Sequence, residues 1–165
     1  MKLENLNALF VQQLRDLYSA ENQLIDALPK LADGAKDASL KKAFENHLKE
    51  TRQHAERIEK IMEELGEKVT GETCKAMKGL VAEGAEMLKT DAEEDVMDAG
   101  LIADAQRVEH YEIAAYGTVC AFAKELGLDS AKTLLEKTLE EEKNANEKLN
   151  EIALKKVNAR AAQYA

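Results

Sequence analysis

Six residues whose side chains commonly bind metal ions lie on or near the apolar faces of predicted helices. They are Glu21, Glu50, His54, Glu109, Glu112 and Glu142. Glu21 is the clearest of them, because it continues the helical series of Leu14, Leu17 and Leu24. A carboxylate at such a position points into the core, where an unpaired charge is costly. The pattern therefore predicts that a cation compensates these acids.

The acids are also predicted to lie at one depth of the core. In an antiparallel hairpin, residues equally distant from the turn lie level with each other. Glu21 and Glu50 are about equally distant from the turn at Ala32–Ser39. Glu109 and Glu142 are about equally distant from a second turn beside Gly127. At 1.5 Å per residue, each acid lies roughly 20–25 Å from its turn.

Four inward carboxylates at one level cannot all stay ionised without a cation. Carboxylate oxygens combined with an imidazole nitrogen suit iron or manganese better than calcium. The stretch HLKETRQHAERIE places Glu50 and His54 in the pattern E-x-x-x-H, whereas E-x-x-H is better known in helical bundles. Steps of three and four residues differ from a full turn by about −60° and +40°. Both steps keep the two side chains on one helix face, so the longer spacing changes only the angle of approach.

Each assignment has a simpler alternative. An inward glutamate could pair with a lysine or an arginine, and the Glu50 pattern could be a surface pair one turn apart. Glu141 competes with Glu142, because a small rotation of the helix would exchange them. We expect His47 to be packed or hydrogen-bonded rather than to act as a ligand.

The helices that must position these residues are read from apolar spacings of three and four residues. The predicted segments run from about Leu3 to the turn at Ala32–Ser39, from Ser39 to Leu65, from Cys74 to Leu88, from Val96 to Leu126, and from Ser130 to Ala161. Pro29 is expected to kink or end the first helix, because proline removes a backbone donor. Ser39 is the expected N-cap of the second helix, and Gly66 and Gly127 are natural helix stops.

Two short turns and one long connection follow from these segments. The sequence therefore predicts an all-α protein: an antiparallel four-helix bundle with a short fifth helix in the crossover connection. The length of 165 residues predicts one domain, spanning residues 1–165.

Composition and charge disfavour several classes of function. Hydrophobic residues make up 45% and charged residues 33% of the chain, which argues against disorder. The net charge of −9 disfavours nucleic-acid binding. No stretch approaches 18 uncharged apolar residues, so we expect no membrane span. The widely separated Cys74 and Cys120, with an N-terminus unlike a signal peptide, favour a reducing cytoplasm.

Four stretches carry a resemblance to a known family: LRDLYSAENQLIDALPKL, FENHLKETRQHAERIE, EHYEIAAYGT and LEEEKNANEKLNEIA. The chain resembles the YciE/YciF family of bacterial stress proteins, within the ferritin-like superfamily of dimetal-carboxylate bundles. The resemblance implies a ferritin-like fold, a homodimer and a site for two divalent metal ions. In the superfamily pattern, Glu21, Glu50, His54, Glu109 and Glu142 occupy ligand positions, and Glu112 resembles the second acid of a rubrerythrin pair.

The sequence departs from the superfamily pattern on the last helix. The pattern expects a second E-x-x-H, but the histidine is replaced by Ala145. His110 could compensate only from a neighbouring face of its helix. The departure puts the second metal ion in question.

Two functions from different classes follow from these observations. The first is a non-haem dimetal protein of the stress response that handles oxygen or peroxide, as a ferroxidase, peroxidase or catalase would. The second is a non-catalytic dimeric bundle that acts as a structural or partner-binding protein. Its inner acids would then pair with each other, with protons or with basic residues.

Overall fold

Two antiparallel helical hairpins form the bundle in this computed structural model, which describes residues 3–164. The main helices are α1 (Leu6–Gly34), α2 (Ala38–Glu64), α3 (Lys75–Met87), α4 (Glu94–Glu125) and α5 (Asp129–Ile152). α1 packs against α2 and α4, α5 packs against the other sides of α2 and α4, and the shorter α3 covers α1 and α4. This arrangement confirms the predicted all-α four-helix bundle with a short helix in the crossover.

The chain beyond α5 is irregular where one continuous helix was predicted. A π-helical turn (Ala153–Val157) follows α5 directly, and α6 (Asn158–Ala161) and a 3₁₀ turn (Ala162–Tyr164) complete the described chain. Within residues 3–164, no helix is both long enough and apolar enough to cross a membrane.

Glycines end α2 and α4 as predicted. Gly66 and Gly127 have φ values of 68° and 69°, in the left-handed region that favours glycine. The N–H of Gly66 donates to the carbonyl of Glu63 at 3.0 Å, and the N–H of Gly127 donates to that of Lys124 at 3.1 Å. These bonds satisfy carbonyls of the last helical turn, which would otherwise lack donors.

The α1–α2 turn differs from the expectation at both of its ends. Pro29 does not end α1, which continues to Gly34. Pro29 lies on the exposed side of the helix, where water can reach the carbonyl that lacks its helical donor. The N-cap of α2 is Asp37 rather than Ser39, since Asp37 Oδ1 accepts from the N–H groups of Ser39 and Leu40 at 2.8 and 3.2 Å.

A buried aspartate ties this turn to the second hairpin. Asp98, on α4, accepts hydrogen bonds from the N–H groups of Lys36 and Asp37 at 2.8 and 2.7 Å. Arg160, on α6, donates to Asp37 at 3.0 Å and to Asp95 at 2.6 Å. These contacts fix the height of one hairpin against the other.

Two apolar clusters fill the bundle, and a polar layer separates them. The cluster nearer the α1–α2 turn includes Leu24, Phe44, Leu101 and Ile152. The cluster towards the other end includes Leu14, Ile58, Val119 and Leu135. The polar layer between them consists of buried side chains from all four long helices: Glu21, His47, Thr51, His54, Glu109, Glu112, Thr138 and Glu142.

Candidate metal centre

Within residues 3–164, two groups of side chains in the polar layer bring possible ligand atoms within 4.8 Å of one another. The His47 group consists of His47, Glu109, Glu112 and Glu142, and the His54 group consists of Glu21, His54 and Glu142. Every member of both groups is buried. Glu142 belongs to both, because its Oε2 lies 3.5 Å from His47 Nε2 and its Oε1 lies 2.8 Å from His54 Nδ1.

Five of the six predicted ligands lie in these groups: Glu21, His54, Glu109, Glu112 and Glu142. Glu50 lies outside both, with a side chain that is 45% exposed and an Oε2 that is 3.5 Å from His47 Nδ1. His47 occupies the inner position, with its Nε2 3.3 Å from Glu109 Oε1. The cause is helix phase: His47 and His54 are nearly two turns apart and project together, whereas Glu50 is turned aside from both by roughly 40–60°.

His54 is held by contacts on both ring nitrogens. Its Nε2 lies 3.0 Å from Glu141 Oε2, and its Nδ1 lies 3.6 Å from Glu21 Oε1. In the neutral tautomer that carries its proton on Nε2, His54 donates a hydrogen bond to Glu141. The Nδ1 atom of that tautomer presents its lone pair to Glu21 and Glu142. Glu141, which the sequence left as the competitor of Glu142, thus lies on the outer side of the histidine.

Arg57 holds Glu141 in this position, a contact that was not predicted from the sequence. Arg57 is almost fully buried and donates to both oxygens of Glu141 and, at 2.9 Å, to Thr138 Oγ1. A carboxylate that is hydrogen-bonded in this way keeps the ring orientation of a metal-binding histidine fixed. The sequence feature that could have indicated this role is the position of Arg57, one turn after His54 on the same helix face.

Tyr116 closes the layer on the side of the His54 group. Its buried hydroxyl donates a hydrogen bond to Glu21 Oε1. The other oxygen of Glu21 has no hydrogen-bond partner in the described part of the chain.

Many of the inward atoms make no hydrogen bond of good geometry among residues 3–164, although some of them, such as His54 Nδ1 and Glu142 Oε1, lie within ion-pair distance of each other. They are Oε2 of Glu21, Nε2 of His47, Nδ1 of His54, Oε2 of Glu109, and both carboxylate oxygens of Glu112 and of Glu142. Buried polar atoms are normally paired, and those that are not require an explanation. Oxygen and imidazole nitrogen donors that converge in this way fit a divalent transition metal ion.

Residues 5–162 match the model of a family described as a domain of unknown function, DUF892. The chain belongs to this family. Over 166 residues that cover all of both chains, it is 43% identical to Protein YciF of Escherichia coli K12.

Solved structures support the same relationship and the ferritin-like fold. The crystal structure of the E. coli stress protein YciF matches with a TM-score of 0.91 at 44% identity, over 94% of this chain and 99% of that one. YcfI of Rhodopseudomonas palustris matches with a TM-score of 0.87 at 42% identity, over 90% of this chain and 95% of that one. A dodecameric thioferritin of Bacteroides fragilis shares the fold alone, with a TM-score of 0.73 at 18% identity, over 96% of this chain and 91% of that one.

Electrostatics in this DUF892 chain differ between the acids of the layer. Burial raises the pKa of Glu112 well above its usual value, and the nearby Glu142 raises it further. Burial also raises the pKa of Glu109 well above its usual value, although His47 opposes the shift. Burial acts in the same direction on Glu142, but His47 and His54 outweigh it and lower the pKa of Glu142.

The two histidines respond to these acids. Burial lowers the pKa of His47, but Glu109 and Glu142 outweigh it, and the pKa rises to about 10. Burial likewise opposes protonation of His54, whose contacts with Glu142 and Glu21 raise its pKa to about 10. Without a metal ion, the layer therefore balances its charge with protons on imidazole and carboxyl groups.

The last helix lacks a second histidine, and His47 on α2 provides the imidazole of the His47 group. Ala145 lines a cavity beside the His47 group instead. His110 is exposed, and its Nδ1 lies 2.7 Å from the carbonyl oxygen of Gln106 on its own helix. His110 therefore does not reach the polar layer.

Proposed function

We propose that the polar layer binds two divalent metal ions, iron or manganese, and that the protein uses them to handle oxygen or peroxide in a stress response. The observation that carries the proposal is Glu112, whose two oxygens are buried and have no hydrogen-bond partner among the described residues. A buried carboxylate in this state is costly, and a bound cation would compensate it.

The arrangement of the ligands supports two ions rather than one. The His47 group would hold one ion, the His54 group would hold the other, and Glu142 would offer one oxygen to each. Bound iron or manganese would supply the electron transfer that oxygen or peroxide chemistry needs. Glu109 and Glu112 would give up their protons when an ion binds, because ligands must be deprotonated.

The surrounding residues have supporting roles. Glu141 and Arg57 orient His54, and Tyr116 donates to Glu21. The two apolar clusters exclude water above and below the layer, along the axis of the bundle. The stress response is inferred from likeness to YciF, which is described as a stress protein. We also propose one domain over residues 1–165 and self-association as a homodimer; the thioferritin neighbour is an assembly of twelve copies.

Metal loading tests the proposal. Protein produced in medium enriched in iron or manganese is expected to hold about two ions per chain, one for each group, as measured by elemental mass spectrometry. The loaded protein is expected to consume oxygen or peroxide. The variant Glu142→Gln removes the shared ligand and is expected to lose both ions. Glu140→Gln is the matched control, because Glu140 is 68% exposed on the same helix. A well-folded wild-type protein that binds neither metal would overturn the proposal.

The second candidate is a non-catalytic bundle that acts by association. It is favoured by the proton-balanced state of the layer, since protonated His47 and His54 can neutralise Glu142 and Glu21 without a metal ion. YcfI, one of the similar structures, is described as a proposed structural protein. The variant Glu21→Ala separates the two candidates. It removes metal and activity under the first, and it changes only the free energy of unfolding under the second.

A further inference from the structure

A cavity of about 450 Å³ opens between α2 and α5, beside the His47 group. Its lining includes the buried His47 and Glu109 and the half-exposed Glu50. A water molecule takes about 30 Å³ in the liquid, so the cavity far exceeds what oxygen or peroxide needs. Its volume lies within the roughly 300–1,000 Å³ of sites that bind organic molecules.

The walls of the cavity combine apolar and polar groups. Phe44 and Ala43 on α2 face Ala145 and Leu149 on α5. An apolar body would gain by leaving water for such walls. A cation would gain from Glu50 and Glu109 but not from these apolar walls, which suit an organic ligand.

Two lysines lie at the solvent-exposed edge of the cavity. Lys42 on α2 and Lys148 on α5 both line it and are both exposed. α2 and α5 run antiparallel, and the contacts Arg57–Thr138 and Ser39–Lys156 set their register. In this register Lys148 is about level with His47, so Lys42 lies about five residues, or roughly 7–8 Å along the bundle axis, from Lys148. In a chain with a net charge of −9, two lysines on facing walls of one cavity favour an anionic ligand.

These lysines have little else to bind. Lys42 has no ion-pair partner among residues 3–164, and Lys148 Nζ lies 3.8 Å from Glu151 Oε2, a long surface contact. Asn46 and Asn144 add amide groups to the lining. Glu50 is eight residues beyond Lys42 on α2, or about 12 Å along the helix, so its negative charge is well separated from the Lys42 end of the cavity.

We propose that this cavity binds a small organic acid, with the carboxylate between Lys42 and Lys148 and the apolar part between Phe44 and Leu149, directed towards His47. The claim that the acid is a substrate of the metal centre rests on the proposed function. The claim that the cavity binds the acid depends only on the cavity and its lysines, so either claim can fail without the other.

A pair of matched probes tests the charge preference. The acid 3-phenylpropionate and its neutral amide, 3-phenylpropanamide, have nearly the same shape. Binding to the purified full chain is measured by calorimetry and by ligand-observed NMR. We expect saturable binding of the acid at one site and binding of the amide that is weaker by about tenfold, as two exposed ion pairs predict.

Variants locate the site. The double variant Lys42→Met and Lys148→Met is expected to bind the acid about tenfold more weakly than the wild type. The control is Lys143→Met, which is expected to bind the acid like the wild type, because Lys143 is an exposed residue of α5 that pairs with Glu140. Ala145→Phe fills the cavity and is expected to abolish binding, with folding checked by circular dichroism. The proposal is overturned if the acid does not bind saturably, if the amide binds equally well, or if the double variant behaves like the Lys143 control.

Metal content is measured on the same samples. An acid that binds to protein unable to take up metal would support the cavity assignment and contradict the proposed function. Protein that takes up two ions but shows no preference for the acid would contradict the cavity assignment alone.

Discussion

The His47 group and the His54 group contain the same kinds of possible metal ligand but have different surroundings. Glu21 and His54 are fully buried, and the Glu141–Arg57 pair supports the outer face of the histidine. His47 instead borders the cavity between α2 and α5, and its outer nitrogen faces the half-exposed Glu50. One side of the centre is thus sealed and supported by hydrogen bonds, and the other is accessible from outside.

The charges differ in the same way. The His47 group contains both of the acids whose pKa burial raises well above the usual value, Glu109 and Glu112. In the His54 group, Glu21 has a raised pKa but also accepts from Tyr116, and Glu142 has a lowered pKa. Under the proposed function, enclosure and second-sphere hydrogen bonds would suit the position that retains its ion, and the open side would suit the position that meets a substrate.

The largest expected difference between the groups concerns the stability of the metal-free protein. His54→Ala is expected to lower the free energy of unfolding by about 3–5 kcal/mol, because it leaves buried carboxylates without their partner. His47→Ala is expected to cost only about 1–3 kcal/mol, since water from the cavity can reach the groups it leaves. Urea unfolding of the two variants measures the difference. Equal losses would contradict the contrast between a sealed and an open side.

The groups are expected to behave alike as the pH rises. The folded-state pKa of each histidine is about 10, above the unfolded value of 6.5. Their contribution to stability is therefore fully present below pH 6.5 and is lost as the pH rises through about 10. The raised pKa values of Glu109 and Glu112 act in the same direction, because the folded chain keeps these protons to a higher pH than the unfolded chain does.

The metal-free protein should accordingly lose stability across this range, by about 1.4 kcal/mol per pH unit for each additional proton that the folded state holds. Chemical unfolding at a series of pH values between 6.5 and 10 measures the slope. The metal-loaded protein, in which ions replace these protons, is expected to show a flatter profile. A metal-free protein that gains stability with rising pH would contradict the charge assignment.

A smaller difference between the two groups is expected when the Arg57 contact is removed. Arg57→Met is expected to weaken metal binding at the His54 group by about 10–100-fold, because Glu141 would no longer hold the ring of His54. Binding at the His47 group should change little. A calorimetric titration with a metal ion measures both affinities. In the variant, the binding step of the His54 group should shift to weaker affinity while the other step stays unchanged. Arg52→Met is the control, since Arg52 is exposed on the same helix; an equal effect in both variants would remove the role assigned to Arg57.

Glu50 provides the smallest expected effect. Its exposed position predicts that Glu50→Gln changes metal affinity by less than about threefold, as is usual for a surface pair. The sequence pattern predicts instead that Glu50 is a ligand, for which a far larger loss would follow. Competition with a chelator of known affinity measures the change. A loss of about a hundredfold or more, the upper end of second-sphere effects, would place Glu50 in the His47 group.

Much of the fold could be predicted from local patterns. Apolar residues at steps of three and four located the four long helices, and the left-handed glycines 66 and 127 ended α2 and α4 as expected. The inward direction of Glu21, Glu109, Glu112 and Glu142 followed from their positions in apolar series, and all four are buried. These features depend on helix periodicity and turn chemistry, which act over a few residues and are visible in a single sequence.

Other features required the packing of one helix on another. The sequence alone determined that acids and histidines would be buried at about one level of an all-α bundle. It did not fix the rotation of α2: the pattern favoured Glu50 over His47 as a ligand, and the structure places His47 in the polar layer instead, because a rotation of about 60° exchanges the two. Nor did it reveal that Asp98 joins the hairpins, that Arg57 supports His54 through Glu141, or that a cavity opens beside Ala145. Each of these depends on the rotation and height of one helix relative to another, which is set by contacts between residues far apart in the chain.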